Sequence, residues 1–204
     1  MPFTTVPDKA TGDVFTEQMW DAYIRDNLNS GSVRPISDTI LGSTATQIDL
    51  TSIPASWNAL WLLIYARGDA AATVSTLSAR FNGDTGANYD TEQILGQGGG
   101  TTSASESIGA SSASIGNIPA GTAPANTFGA MAHIIPFYTN TALQKTIIGK
   151  SAEKHGTAAG TITTRTHCAE WRSTAAINRI TILISAGNMV AGTRATLYGV
   201  GGLV

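Results

Sequence analysis

Residues 179–198, RITILISAGNMVAGTRATLY, decide the fold class. In each half of this stretch, apolar and polar side chains alternate with a period of two, as in a β-strand with one buried face. The alternating sets are Ile180, Ile182 and Ile184 against Arg179, Thr181 and Leu183, then Ala195 and Leu197 against Arg194, Thr196 and Tyr198. Gly187 and Asn188, between the halves, are typical turn residues. The stretch therefore predicts a C-terminal β-hairpin with one buried face.

Short strand-like segments separated by Gly, Asn or Pro turns fill the chain from residue 47 onward. They are Gln47–Leu50, Ala59–Arg67, Thr76–Asn82, Gln93–Leu95, Ser103–Ile108, Phe128–Pro136, Gln144–Ser151, Thr161–Glu170, Ile177–Ser185 and Thr193–Tyr198. Residues 96–126, rich in Gly, Ser, Thr and Ala, are predicted to form a strand and a long loop. Regular short strands without a second helical pattern predict a mainly β fold, an antiparallel sandwich or a barrel.

The longest strongly apolar run is ALWLLIYA, residues 59–66. It is far shorter than the roughly 20 residues that a membrane-spanning helix needs, so it predicts a buried strand. The opening MPFTTVP has neither the basic start nor the apolar core of a secretory signal. We therefore expect no membrane insertion and no export.

The N-terminal segment has a different pattern. Residues 1–12 contain Pro2 and Pro7 and predict an extended arm. Residues 14–28 have apolar side chains at helical spacing, which predicts one short amphipathic helix. Its stripe consists of Phe15, Met19, Trp20, Tyr23 and Ile24. The stripe packs either on its own domain or against another subunit, and we expect docking to a larger particle. The predicted division is 1–35 for arm and anchoring helix and 36–204 for the β domain.

Composition limits the classes of function. Of the 204 residues, 13% are charged, about half the usual share for a soluble domain. A weakly charged surface suits a chain whose faces contact copies of itself or neighbours in an assembly. The net charge is −2, and the sequence contains no Lys/Arg cluster, so we expect no nucleic-acid partner. Cys168 is the only cysteine, which excludes an internal disulfide.

Three motifs resemble parts of known catalytic or ligand-binding sites but lack the other residues that those sites require. The glycines of 96–100 are followed by no helix and no Lys-Ser/Thr, so they predict a strand-connecting loop and not a phosphate site. His167 and Cys168 are adjacent, so on a strand they point to opposite faces and cannot form a nucleophile and base pair. We expect a buried Cys168 and a hydrogen-bonded core or interface His133. No catalytic residue and no cofactor is predicted, and we expect that the chain is not an enzyme.

The segment from Asn82 to Asp90 carries four side chains with oxygen donors in nine residues. Calcium is one interpretation. The segment departs from the EF-hand pattern, because the twelfth position counted from Asn82 is Gln93 and not Glu. The expected structure is a tight turn without a metal, because Asn, Asp and Gly readily adopt the left-handed backbone conformation that such turns require.

The N-terminal TGDVFTEQMW, residues 11–20, followed by IRDNL, residues 24–28, resembles the start of many structural proteins of tailed-bacteriophage particles. Further segments are similar to the domain that follows in that group. They are Trp61–Tyr65, Arg80–Tyr89, Ile134–Tyr138, Trp171–Ile180 and, most closely, Ala191–Gly199. The resemblance covers nearly the whole chain and concerns a class of virion proteins.

The resemblance implies a jelly-roll-like sandwich that assembles as a homo-oligomer, often a trimer, on the exterior of a particle made in the host cytoplasm. Tail, fibre and head-decoration proteins all fit. The other virion proteins of capsid or tail would be its partners. The alternative is a receptor- or carbohydrate-binding module of the virion, with Tyr89 and Tyr138 lining a shallow site for a host surface glycan.

Overall fold

Strands dominate the regular structure of the protein. The computed structural model describes residues 16–19, 33–158 and 160–202. The strands are β1 (Val33–Ile40), β2 (Gln47–Leu50), β3 (Trp57–Ala66), β4 (Val74–Phe81), β5 (Tyr89–Gln97), β6 (Thr101–Ala110), β7 (Ala113–Pro119), β8 (Gly129–Pro136), β9 (Lys145–Lys154), β10 (Ile162–Trp171), β11 (Ile180–Ile184) and β12 (Arg194–Gly202). A single helical turn, Glu17–Met19, precedes them.

These strands form two antiparallel sheets. The large sheet has eight strands in the order β1-β12-β3-β8-β9-β10-β5-β6, and the small sheet has four in the order β2-β11-β4-β7. Neighbouring strands within each sheet run antiparallel. The predicted mainly β, antiparallel sandwich is therefore confirmed.

The core lies between the two sheets. On β3, Leu60, Leu62 and Ile64 are buried, whereas the residues between them are partly exposed. On β4, Leu77 and Phe81 alternate in the same way. Because side chains of a strand point alternately to its two faces, each sheet contributes one face to a shared apolar layer. Burial of this layer is the main term that stabilises the fold.

The predicted C-terminal hairpin is wrong. β11 pairs with β2 and β4 in the small sheet, whereas β12 pairs with β1 and β3 in the large sheet. The residues around Gly187 and Asn188 carry the chain from one sheet to the other, and Asn188 is held there by Asp69. Alternation reports that one face of a strand is buried, but it does not report which sheet holds the strand.

Residues 96–126 contain more strand than predicted. β6 extends to Ala110 and is followed by β7, where a strand plus a long loop was expected. The sequence prediction also missed β1, an edge strand that contains Pro35 at a register shift. Proline is confined to edges and irregular positions of sheets, which explains why the pattern of β1 is atypical.

The N-terminal helix expected over residues 14–28 is not supported. Within that stretch the structure describes only residues 16–19, of which Glu17–Met19 form a single helical turn. The remainder of the predicted helix and the arm of residues 1–12 lie outside the described residues. In the part of the chain that the structure describes, no helix has the length and apolarity to cross a membrane.

Candidate functional site

The outer face of the large sheet is the first candidate. Strand registers place outward side chains of neighbouring strands side by side in cross-strand rows. One row consists of Tyr198, Trp61, Ile134, Ile148, Cys168 and Glu92. The next consists of Asp38, Thr196, Leu63, Ala132, Lys150, Thr166 and Ile94. The first row is therefore apolar from Tyr198 on β12 to Cys168 on β10, whereas the second mixes apolar and polar side chains.

Exposed large apolar side chains concentrate on this face. Among the described residues, eight of the ten such side chains lie on strands of the large sheet, two of them on β1. They are Val33, Ile40, Tyr65, Ile94, Ile108, Ile134, Ile148 and Ile162. Scattered single apolar residues are normal on a protein surface. Ile134 and Ile148 are direct cross-strand partners, so the centre of the face is a candidate contact surface.

The outer face of the small sheet has the opposite character. Thr76 donates a hydrogen bond to Asn117 (3.1 Å), and Asp49 accepts hydrogen bonds from Arg179 (2.7 Å) and Thr181 (2.6 Å). None of the ten exposed large apolar side chains of the described chain lies on a strand of the small sheet. The two outer faces of the sandwich therefore differ in the number of large apolar side chains that they expose.

The apolar outer face contains a shallow depression. Its volume is about 620 Å³, and Leu63, Tyr65, Ala132, Lys150 and Tyr198 are among the residues that line it. At its rim, Arg194 donates two hydrogen bonds to the Asp38 carboxylate in a bidentate ion pair (2.8 and 2.7 Å). The hydrogen bond from Arg194 is the main reason why the pKa of Asp38 lies below its usual value. The depression is thus lined mainly by apolar side chains, with Lys150 among the lining residues and the Arg194–Asp38 pair at the rim.

A buried polar layer on the inner face of the same sheet is the second candidate. His133, Ser151 and His167 are almost fully buried, on three neighbouring strands. Ser151 Oγ and His167 Nε2 are 3.0 Å apart, and the rings of His133 and His167 are 6.0 Å apart. Glu153 and Arg165 form a buried ion pair (2.9 Å) beside them. His133 lies in the core, as expected, and neither of its ring nitrogens has a well-formed hydrogen bond within the described part of the chain.

Burial controls protonation in this layer. It lowers the pKa of His133 to about 4, with a further contribution from His167 and a weak opposing one from the backbone of Ile115. Burial, followed by the charge of Arg165, also lowers the pKa of His167 to about 4. Burial raises the pKa of Glu153, although Arg165 opposes this shift. Both histidines are therefore neutral at pH 7.

In serine hydrolases, a serine hydroxyl that is hydrogen-bonded to a histidine nitrogen acts as the nucleophile, and the histidine acts as its base. In this protein the pair is packed into the core. Gly116 on β7 lies so close that a methyl group there would be 2.5 Å from Ser151 Oγ. His167 Nδ1 has no acceptor among the described residues, so no third group orients the ring. The geometry describes a structural hydrogen bond between two strands.

Cys168 points away from this layer. His167 is buried and Cys168 is exposed, as expected for adjacent residues of a strand. The expected burial of Cys168 is therefore wrong. The interior-facing positions of β10 include Arg165 and His167, whereas Ile162 and Cys168 face outward. At these four positions the polar residues point inward and the apolar ones outward, whereas Ala169 and Trp171 are buried as hydrophobicity predicts.

Neither predicted surface tyrosine is at the surface. Tyr89 and Tyr138 are 0% exposed. The hydroxyl of Tyr89 accepts from the backbone N–H of Phe81 (2.9 Å), and that of Tyr138 donates to the carbonyl of Pro54. Because the backbone satisfies the hydroxyl groups, both rings fit in the core, and neither can line a shallow sugar site.

The predicted docking stripe falls almost entirely outside the described part of the chain. Phe15, Trp20, Tyr23 and Ile24 lie outside the described residues, and Met19 closes the short helical turn Glu17–Met19. Docking by this stripe stays a prediction.

The segment from Asn82 to Asn88 forms the tight turn between β4 and β5. Asn82 and Gly83 have positive φ values of 51° and 74°. Asp84 accepts hydrogen bonds from Trp171 Nε1 (2.7 Å), Asn88 Nδ2 (2.9 Å) and the backbone N–H of Gly86 (2.8 Å). Both carboxylate oxygens of Asp84 therefore have protein donors. The glycines of 96–100 lie at the turn between β5 and β6, where Gly99 and Gly100 have positive φ.

Sequence reasoning missed the apolar outer face. Ile134 and Ile148 stand next to His133 and Gly149, and nothing in the pattern indicates that the polar or small neighbour points inward. The signal becomes visible only when the strand registers place Trp61, Ile134 and Ile148 side by side.

Comparison with protein-family models finds no match for this chain, and neither does comparison with curated proteins. The fold and the candidate site define an antiparallel two-sheet β-sandwich with an apolar outer face on its large sheet.

Proposed function

We propose that this chain is a structural subunit on the exterior of a tailed-bacteriophage particle, associated with the tail or fibre or decorating the head, and that it acts as a homo-oligomer. The apolar outer face of the large sheet is the observation that carries the proposal. A two-layer sandwich that functions alone needs polar outer faces on both sheets, whereas an assembly subunit needs a surface to share.

The strand order supports a jelly-roll domain. In a jelly roll, one sheet joins the first, eighth, third and sixth strands, and the other joins the second, seventh, fourth and fifth. The small sheet has this order if β2, β11, β4 and β7 are those four strands. The large sheet has it if β1, β12, β3 and β8 are the first, eighth, third and sixth strands. β9, β10, β5 and β6 then extend that sheet at one edge.

The resemblance to virion proteins adds support from particular segments. Ile134–Tyr138 spans the end of β8, and Ala191–Gly199 leads into β12, so both belong to the large sheet or to its turns. The sparse charge of the chain agrees with surfaces that are covered in an assembly, because few charges then have to be desolvated.

The deciding experiment is to locate the protein on purified phage particles by immunolabelling and electron microscopy. We expect regularly spaced copies on the outside of the head or tail. A protein present in infected cells but absent from purified particles would refute the proposal.

The mode of attachment needs a separate experiment. The double variant Trp20→Ala, Ile24→Ala removes two large apolar side chains from the predicted stripe. If the stripe docks on the particle, binding to particles lacking the protein falls by orders of magnitude while the melting temperature stays the same. If the stripe packs on its own domain, the melting temperature falls and binding survives.

A further inference from the structure

We infer that the outer face of the large sheet is the surface through which copies of this chain associate, and that its occupant is a second copy of the same chain. This inference rests on the proposed function and deepens it by naming the partner of that face. Its centre is the row of Trp61, Ile134 and Ile148, in which Ile134 and Ile148 are 45% and 48% exposed. Contact with another apolar surface would remove these side chains from water.

The face is large enough for a stable contact. Eight strands about 4.8 Å apart span roughly 34 Å, and six residues along a strand add roughly 20 Å. The product, about 700 Å², is close to the roughly 800 Å² that each partner contributes to a standard protein interface. A single peptide or a small ligand would leave most of the face uncovered.

The distribution of lysine and glutamate side chains on this face favours a second copy of the chain as its partner. Lys154 lies at one end of β9, and Lys150 lies near its middle, one cross-strand row from the row that contains Glu92. Glu92, Glu106 and Glu170 lie on β5, β6 and β10 toward the other end, around a second, smaller depression. A neighbouring copy can therefore place its lysine end over the acidic end of this one. Such an arrangement also relieves the repulsion between Glu92 and Glu106, which are direct cross-strand partners.

Small side chains between the apolar ones allow close approach. Ala130, Ala132 and Ala152 occupy neighbouring outward positions on β8 and β9. Surfaces of this kind pack tightly without losing side-chain entropy, because alanine has no rotamers to fix.

The first test places charge in the centre of the face. The variant Ile134→Lys, Ile148→Lys changes two cross-strand partners on the proposed interface. The matched control Ser78→Lys, Leu183→Lys changes two cross-strand partners in the small sheet. Sedimentation velocity over a concentration series should show an oligomer for the native chain and the control. The interface variant should dissociate at a concentration at least about a hundredfold higher, because its lysines meet an apolar surface. Equal association of all three proteins would overturn the inference.

The second test needs no change to the interface. Cys168 is the only cysteine of the chain, is exposed in the single chain and is the cross-strand partner of Ile148. In the native oligomer, labelling by a maleimide should be about tenfold or more slower than in protein diluted to the monomer. A control with Cys168→Ser and Ser78→Cys, which moves the thiol to the small sheet, should label at the same rate in both states. Full reactivity of Cys168 in the oligomer would overturn the inference even if the lysine variant fails to fold.

The two proposals fail separately. A native chain that is a monomer at micromolar concentration refutes the self-association surface and leaves the location on the particle to the imaging experiment. A protected Cys168 in a protein absent from particles supports the surface and refutes the virion function.

Discussion

Gly149 on β9 and His133 on β8 are direct cross-strand partners, and the imidazole of His133 occupies the space that a side chain at residue 149 would need. A Cβ at residue 149 would overlap both His133 Nδ1 and the carbonyl oxygen of Ala132. The glycine therefore allows a buried ring to lie against the neighbouring strand.

This relationship predicts that Gly149→Ala destabilises the fold. Overpacking against a ring and a carbonyl costs about 1–3 kcal/mol in well-packed cores. Gly96→Ala is the matched control, because a Cβ there would lie 3.6 Å from Thr164 Cγ2, an ordinary contact, and alanine suits a strand better than glycine. Urea unfolding of both variants measures the difference. An equal effect of the two substitutions would contradict the packing described.

The buried histidines predict that acid weakens the fold. The pKa values of His133 and His167 are about 4 when folded, against an ordinary value of 6.5. Below pH 6.5 the unfolded chain binds more protons, so the free energy of unfolding falls as the pH decreases to about 4 and the effect levels off below that. The shift corresponds to roughly 3 kcal/mol per histidine. Glu153, whose pKa is raised, opposes this loss because its stabilising contribution is present at low pH.

Melting temperatures between pH 7.5 and pH 4 measure this effect. The double variant His133→Leu, His167→Gln lacks the titrating rings, so its stability should decline less steeply over this range. Parallel curves for the native protein and the variant would show that other groups cause the acid sensitivity.

Arg67 fastens the loop between β7 and β8. Its guanidinium donates to the carbonyls of Ala123 (2.9 Å), Pro124 (2.7 Å) and Thr127 (2.9 Å) and to the hydroxyl of Thr127 (2.8 Å). A lysine ammonium cannot make all four of these hydrogen bonds, so Arg67→Lys should lower the free energy of unfolding by about 2 kcal/mol.

Arg80→Lys is the matched control for Arg67, because Arg80 donates a single hydrogen bond, to the carbonyl of Ser111. Its cost should stay within about 0.5 kcal/mol. Thermal unfolding and limited proteolysis of residues 120–128 test both variants. Rapid cleavage of that loop is expected for Arg67→Lys alone, and unchanged cleavage would argue against the fastening role.

The contact between Asp84 and Trp171 predicts energetic coupling. Trp171 Nε1 donates to Asp84 and is the main cause of the lowered pKa of this carboxyl. Asp84→Ala and Trp171→Phe should each destabilise the protein, and a double-mutant cycle should give a coupling energy of about 1–2 kcal/mol.

A chelator should leave the native melting temperature unchanged, because protein donors already occupy the Asp84 oxygens. Additive effects, or a chelator-dependent loss of several degrees, would contradict this assignment.

Strand periodicity predicted most of the β structure. Each of the ten predicted segments overlaps an observed strand, and Gln47–Leu50 has the observed bounds. β1 and β7 escaped prediction because their sequences depart from a simple strand pattern: β1 contains Pro35 at a register shift, and β7 has Gly, Ser and Asn among its apolar residues.

Face assignment failed where the core is polar. On β10, alternation is visible, but Arg165 and His167 point inward and Cys168 outward. Partners from other strands, namely Glu153 for Arg165 and Ser151 for His167, make this burial possible. Such partners are distant in the sequence, so hydrophobicity alone could not reveal either the polar layer or the apolar outer face opposite it.

The pairing of β1 with β12 also determines where the two ends of the β domain lie. Val33 and Val200 are cross-strand partners, so the two ends of the described β domain leave it at one corner of the large sheet. A tag joined at residue 33 or residue 202 would report the position of that same corner. β6, at the opposite edge and roughly 34 Å away, is then the strand farthest from any tether. A subunit attached through its terminal segment would turn β6 away from its anchor.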